Sequence, residues 1–272
     1  NYLSLLDSYL NNDKNSLILL SMSRDLVIGL TVEPISLIFI ALLAFVWLGV
    51  ACYSNKYFLI SQDKKILQFQ IFLILSVEFI TLVILSKNLI SIFLFHQSLI
   101  FCLYFFGTYF MHKHDIKASY NFTFIALLCS FAFLLAIIFT YKIAGQVEFL
   151  GSGIINNNLS LANYLILISL YFIGIALIAF IPLYLFYGNL YYLNSPSIIV
   201  IFIISHGLLI TLIPLKIISY IFGIDIFVSY NKATNITNLI ILVITINLLI
   251  SAIFSIIGNN LKKIFIYLFF NQ

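Results

Sequence analysis

The chain has 272 residues, of which 63% are hydrophobic and only 8% are charged, with a formal net charge of +4. Soluble domains usually contain about 25% charged residues, so this chain has too few charges to cover a surface that faces water. The composition excludes an ordinary soluble enzyme, a nucleic-acid-binding protein and a disordered protein. Because the apolar runs are continuous and about twenty residues long, they predict an all-α, polytopic transmembrane bundle rather than a β-barrel.

Continuous apolar runs predict seven full membrane spans followed by a partial one. Residues 1–30 are interrupted by charges and are interpreted as a loop or an interfacial segment, and residues 31–272 as one transmembrane domain. The loop 54–65 is predicted from its charges, and the last apolar run, after Lys263, stops short. That truncation indicates either that partner helices lie on another polypeptide or that the chain is incomplete. The predicted full spans are 34–53, 66–85, 89–110, 120–141, 162–187, 197–222 and 236–257.

Polar residues inside the spans indicate functional sites or contacts between helices, because an unpaired polar group in hydrocarbon costs several kcal/mol. Glu78 is interpreted as a proton-relay carboxyl, or else as a carboxyl that reaches water or a neighbouring helix. His96 and Gln97 are expected to face the bundle, where they join a proton path or only form an interhelical hydrogen bond. His206 either titrates in a wet cavity or packs, and Lys216 either joins the path or extends along the lipid to the interface.

The fifth predicted span is expected to contain a helix break at Gly174 and Pro182. Proline removes a backbone hydrogen bond, and broken helices in membranes are tolerated only where protein or a water-filled cavity satisfies the backbone. Such breaks mark ion paths in transporters. The three cysteines lie inside apolar runs, which predicts buried thiols, and no motif indicates a metal site or a catalytic residue.

Five stretches of the chain are similar, in order and spacing, to motifs of one family. They are residues 33–39 (EPISLIF), 88–97 (NLISIFLFHQ), 117–122 (KASYNF), 182–184 (PLY) with 192–198 (YLNSPSI), and 259–267 (NNLKKIFIY). On these stretches the chain resembles the antiporter-like membrane subunits of respiratory complex I, which are homologous to Mrp-type cation/proton antiporters. The resemblance runs from the third helix of the family to the start of the tenth, so the chain resembles its N-terminal half-channel.

The resemblance also implies which charged residues are missing. In the family, a glutamate on the fifth helix, a lysine on the broken seventh and a lysine on the eighth form a charged relay. The resemblance places these three positions at Gln97, at Leu177 and near Leu208. Because glutamine and leucine carry no charge at neutral pH, the usual relay is expected to be lost from this half, with Glu78, His96 or His206 as substitutes.

The resemblance implies a multi-pass membrane-arm subunit of respiratory complex I (NADH:ubiquinone oxidoreductase) in the electron-transport chain of the mitochondrial inner membrane. Its nearest relative would be NADH dehydrogenase chain 2, with chain 4 next, and it would support proton translocation or contribute to it structurally. Enzymatic activity would belong to the complex, and NADH, FMN, iron–sulfur clusters and ubiquinone to other subunits. The implied partners are other membrane-arm subunits, including a C-terminal half on a separate chain, and lipids, with no nucleic acid. The alternatives are a purely structural scaffold and, less favoured, a stand-alone cation/proton antiporter.

Overall fold

The computed structural model describes residues 17–21, 27–61, 66–110, 116–155, 159–175 and 207–257. These residues form two strands and a series of helices, which are numbered here in chain order. They are β1 (Leu17–Ser21), β2 (Val27–Leu30), α1 (Pro34–Ser61), α2 (Ile66–Ile84), α3 (Leu89–Phe110), α4 (Ile116–Ala144), α5 (Leu161–Ile175), α6 (Gly207–Phe222), α7 (Ile224–Thr234) and α8 (Ile236–Ile257).

The helical membrane bundle expected from the composition is confirmed, but the expected count of seven full spans is not. Within the described residues, five helices are long and apolar enough to cross a membrane, namely α1, α2, α3, α4 and α8. The bent pair α6–α7 makes a sixth if it is one span. The helix α5 is shorter than a span where it is described, and the remainder of the predicted fifth span and the start of the sixth lie outside the described residues.

The predicted and observed ends of a span agree where the polar residues that end the apolar run also end the helix. The predicted spans 89–110 and 236–257 coincide with α3 and α8. The predicted loop 54–65 does not begin where expected, because α1 continues to Ser61, and Gln70 of α2 donates a hydrogen bond to Asn55 at 2.9 Å. Charged residues mark where a chain leaves the apolar layer, but residues 54–61 contain no glycine or proline to end the helix.

Residues 17–21 and 27–30, the described part of residues 1–30, form one small antiparallel sheet, called the hairpin below, which the sequence did not predict. Strands β1 and β2 pair antiparallel, with Leu17 opposite Leu30. Backbone hydrogen bonds join this sheet and the residue after it to the turn between α2 and α3. Thr31 N donates to Leu85 O at 2.7 Å, and Lys87 N donates to Gly29 O at 3.0 Å. The extended conformation lets this segment satisfy backbone groups of the turn between α2 and α3, which a helix bonded within itself does not do.

The core lies between successive helices, since α1 packs on α2, α2 on α3, α3 on α4, and α4 on α5. Aromatic rings fill the interior, for example Phe69 and Phe106, whose centroids are 5.4 Å apart. By contrast, only 17% of the residues in the most apolar stretch of α1 and of α8 are buried. These two helices therefore present most of their apolar surface outward, to lipid or to other protein.

The sixth helix ends in a sharp bend that the sequence did not indicate. Its last turn, Ile217–Phe222, is a π-helix, and Gly223 with φ 76° leads into α7, whose axis is turned by 89°. The helix α7 was not predicted, because its eleven residues are too short and too polar to be read as a span. The Tyr230 hydroxyl donates to Leu159 O, and its ring stacks on Tyr164 at 4.5 Å, which fixes α7 against the start of α5.

Candidate functional site

The candidate site is centred on Lys216, which lies on the inward face of α6. Leu209, Leu212, Ile213 and Lys216 are all buried and follow the three- and four-residue spacing of one helical face. Lys216 is 0% exposed, which is exceptional for a residue that carries a charge on a flexible stem. Burying an ammonium group is expensive unless it is paired and hydrogen-bonded, so the partners of Lys216 define the site.

The ammonium group of Lys216 caps the end of α2. Its Nζ donates to Ile84 O at 2.8 Å and to Ser86 O at 3.1 Å. The last carbonyls of a helix have no partner within it and carry the negative end of the helix dipole, so they are natural acceptors for a cation. The Phe149 ring adds a contact, with its centroid 5.4 Å from the same Nζ.

Glu33 supplies the negative charge. Its Oε2 lies 3.4 Å from Lys216 Nζ, which is an ion pair, and no hydrogen bond to this oxygen is formed within the described part of the chain. The side chain of Glu33 is 16% exposed, whereas that of Lys216 is 0% exposed. The carboxylate is therefore the more exposed member of the pair, and the amine is the enclosed member.

Local sequence explains why Glu33 lies there. It precedes Pro34, the first residue of α1. Proline is favoured at the first position of a helix, because the N–H group that it lacks would have no partner within the helix. Leu37 N donates to Glu33 O at 3.0 Å, which starts the helix, and the buried Ser36 hydroxyl donates to Ile84 O at 2.9 Å. The start of α1 and the end of α2 therefore meet at the ammonium group.

The turn 85–88 forms the frame of the site. Asn88 caps α3, since its Oδ1 accepts a hydrogen bond from Ser91 N at 2.7 Å, and its amide group also donates to Val27 O in β2. On the other side, Phe149 N donates to Lys87 O at 3.2 Å. Lys87 and Glu148 form a second ion pair at 3.2 Å, with side chains 24% and 41% exposed. One short turn therefore joins the hairpin, three helices and the loop after α4 around Lys216.

The structure places the predicted path residues in different surroundings. The interpretation that Lys216 extends along lipid to the interface is wrong, because the residue is enclosed by protein. Glu78 is exposed on the outer side of α2. His96 is 9% exposed within α3, and the neighbouring Gln97 has a buried Nε2 with no hydrogen-bond partner among the described residues.

The predicted helix break and relay positions are described only in part. Gly174 lies inside α5, where a Cβ atom would come within 2.7 Å of Phe133 N and Phe133 Cβ, so this glycine serves close packing against α4. Leu208 is half-buried near the start of α6. His206, Pro182 and Leu177 lie outside the described residues.

Sequence reasoning overlooked Glu33 as a site residue. Its signal was available, since it is an acid placed directly before a proline at the start of an apolar span. The pairing itself was hidden, because Lys216 lies far away along the chain and its other acceptors are backbone carbonyls, which no side-chain pattern reveals. Within the described residues, no three His, Cys, Asp or Glu side chains are grouped so as to hold a metal ion.

Comparison with protein families shows which family the chain matches. The family described as "NADH:quinone oxidoreductase/Mrp antiporter, TM" matches residues 86–268, about two thirds of the chain. Comparison with curated proteins gives no significant match.

Solved structures of respiratory and antiporter membrane complexes share the fold, and three of them are described here. A chain of the membrane-bound sulfane sulfur reductase, an archaeal respiratory membrane complex, is 17% identical, with a TM-score of 0.78 over 100% of this chain and 54% of that one. A chain of respiratory complex I from Thermus thermophilus with bound aureothin is 12% identical, with a TM-score of 0.69 over 99% and 53%. A chain of the Mrp complex from Dietzia sp. DQ12-45-1b is 14% identical, with a TM-score of 0.73 over 99% and 49%. These likenesses concern the fold, and the chain spans about half the length of each.

Proposed function

This chain belongs to the NADH:quinone oxidoreductase/Mrp antiporter transmembrane family, and from that premise we propose that it is a membrane-arm subunit of a proton-translocating respiratory complex I. The observation that carries the proposal is the fully buried Lys216, paired with Glu33 inside an antiporter-like membrane fold. An ionisable residue buried in a membrane domain is expensive to keep, so it indicates a path for ions or protons.

The geometry supports a simple role for each member of the pair. The carboxylate of Glu33, 3.4 Å from Nζ, and the two carbonyl acceptors surround the amine of Lys216 with negative charge and with the negative ends of backbone dipoles. On this proposal the pair lies on a proton path that leads from the more exposed carboxylate to the enclosed amine.

Lys216 offers a replacement for part of the charged relay that the family resemblance implied. At the three relay positions, Gln97, Leu177 and near Leu208, this chain has uncharged residues. Lys216 lies about two helical turns after Leu208 on α6 and supplies a buried lysine to the same helix. We propose that it takes the place of the eighth-helix lysine, with His96 and His206 as further candidates along the path.

The rest of the activity would belong to the complex. On this proposal, NADH, FMN, iron–sulfur clusters and ubiquinone bind other subunits, and the chain resides in the mitochondrial inner membrane, with NADH dehydrogenase chain 2 as its nearest relative and chain 4 next. The outward-facing surfaces of α1 and α8 fit contact with lipid and with neighbouring membrane-arm subunits, including a C-terminal half on a separate chain.

A structural scaffold is the second candidate. It is favoured by Gln97, whose amide stands where the family resemblance expects the relay glutamate. A scaffold would use the Lys216–Glu33 pair only to join α1, α2 and α6.

The test of the proposed function is purification of the tagged chain in mild detergent. We expect it to copurify with flavin-containing peripheral subunits and with NADH:quinone reductase activity. A monodisperse homo-oligomer without flavin would overturn the assignment to complex I.

A further inference from the structure

The π turn of α6 begins immediately after the buried lysine. Lys216 is the residue that precedes the π-helix Ile217–Phe222, and Gly223 follows it at the 89° bend. A π turn holds one residue more than an α turn and is found most often at functional sites. Each residue of an α-helix turns the chain by about 100°, so the register of this turn sets the direction in which Lys216 points.

The loop 150–155 holds the π turn by its backbone. Ile154 N and Ile155 N both donate to Ile221 O, at 2.9 and 3.1 Å. The last carbonyl groups of a helix have no hydrogen-bond donor within the helix, and these two amides supply donors to one of them. The same loop follows Phe149, whose ring lies 5.4 Å from Lys216 Nζ and 5.7 Å from the Tyr220 ring.

A glycine pair allows the loop to approach this closely. A Cβ atom on Gly153 would lie 2.7 Å from Gly223 N and 2.8 Å from Phe222 O, and one on Gly223 would lie 2.7 Å from Ser152 O. Each neighbour is a backbone atom, so no flexible side chain can move aside. Both glycines also have positive φ, 84° and 76°, which disfavours any other residue.

We propose that this glycine clamp, formed by Gly153, Gly223 and the Ile221 carbonyl, positions Lys216 for proton transfer. It fixes the rotation of α6 about its axis, so that Nζ meets Glu33, Ile84 O and Ser86 O. If the π turn relaxed to an α turn, Lys216 would rotate by about 100° relative to Gly223 and leave all three partners. The role in proton transfer rests on the proposed function, but the clamp itself rests on geometry alone.

The test is whether Glu33 and Lys216 still stabilise each other when a Gly153→Ala substitution disrupts the clamp. Glu33→Gln, Lys216→Met and the double variant are compared by thermal unfolding of the purified complex, in the parent and in a Gly153→Ala background. We expect their effects to be non-additive in the parent and additive with Gly153→Ala. Retained non-additivity with Gly153→Ala would overturn the proposal.

Two matched controls separate the clamp from general effects of replacing glycine. Gly151→Ala, two residues away, places its methyl group where nothing lies within 4 Å. Gly145→Ala meets equally open space but imposes the same strain of positive φ, here 71°. In both control backgrounds the effects of Glu33→Gln and Lys216→Met on unfolding should remain non-additive. If they lost it as well, the effect would not belong to the clamp, and the proposal would be rejected.

A readout of proton transfer distinguishes positioning from simple stability. In membrane vesicles, Gly153→Ala should shift the pH profile of proton translocation in the same direction as Glu33→Gln, whereas both control variants should keep the parent profile. A parent-like profile in Gly153→Ala would refute the positioning role. If Lys216→Met leaves translocation unchanged, the proposed role of the pair in proton transfer fails, and the unfolding experiment still decides whether the clamp exists.

The unmodified complex provides a test that needs no variant to fold. Hydrogen–deuterium exchange should show slow exchange at the amides of Ile154 and Ile155, because both donate to Ile221 O. Exchange at these amides as fast as in exposed loops would contradict the clamp.

Discussion

Lys216 and Glu33 form an ion pair across 3.4 Å, with the lysine fully enclosed and the carboxylate 16% exposed. Two carbonyls at the end of α2 complete the shell around the ammonium group, at 2.8 and 3.1 Å. Removing one member of a buried pair leaves a charge without compensation, at a cost of about 3–5 kcal/mol. Because the two members differ in exposure, that cost should differ between them.

We predict that Glu33→Gln destabilises the protein more than Lys216→Met does. Glu33→Gln leaves the fully buried ammonium group without its ion-pair partner, whereas after Lys216→Met the partly exposed carboxylate can turn outward and the methionine fills the apolar space. Thermal unfolding in detergent measures both. Lys216→Met as the more damaging change would contradict this asymmetry.

The ion pair between Lys87 and Glu148 should contribute little to stability. Its side chains are 24% and 41% exposed, and exposed ion pairs are worth about 0.2–1 kcal/mol. Lys87→Met should therefore unfold within a few degrees of the parent protein in the same assay. A loss as large as that of Glu33→Gln would show that charge, and not burial, determines the cost.

Two glycine variants should have opposite outcomes. Gly174→Ala places its Cβ 2.7 Å from Phe133 N, so α5 must move away from α4, and overpacking of this kind costs about 1–3 kcal/mol. Gly49→Ala, within α1, meets nothing within 4 Å and should be neutral or stabilising, since alanine favours helix by about 1 kcal/mol. Equal unfolding temperatures for the two variants would refute the close packing of α4 and α5.

The turn that frames the site can be tested at Asn88. Asn88→Ala removes both the cap of α3 and the hydrogen bond to Val27 O, and loss of a cap alone costs about 0.5–2 kcal/mol. Asn88→Asp keeps the capping oxygen and removes only the donor to the hairpin. We expect Asn88→Ala to be the less stable of the two, with faster proteolysis of the hairpin in both. An intact hairpin in Asn88→Asp would show that other contacts suffice to hold it.

Hydropathy predicted most of the bundle because burial in lipid imposes a long apolar run on each span, as it does for α3 and α8. It did not predict the hairpin, α7 or the π turn, which are stabilised by contacts between distant backbone groups, such as those of Gly29 with Lys87 and Ile154 with Ile221. Lys216 was recognised as unusual, but its burial depends on the end of α2, which only the folded chain brings near. Local composition therefore predicts the spans, and tertiary contacts determine the site.

The central claim is that the Lys216–Glu33 pair takes part in proton translocation. The most direct measurement is the number of protons moved per NADH oxidised in sealed vesicles, compared among the parent, Lys216→Met and the control Lys87→Met, at equal levels of assembled complex. We predict a lower ratio with Lys216→Met and an unchanged ratio with Lys87→Met. An unchanged ratio with Lys216→Met would contradict the account and leave this chain as a structural scaffold of the membrane arm.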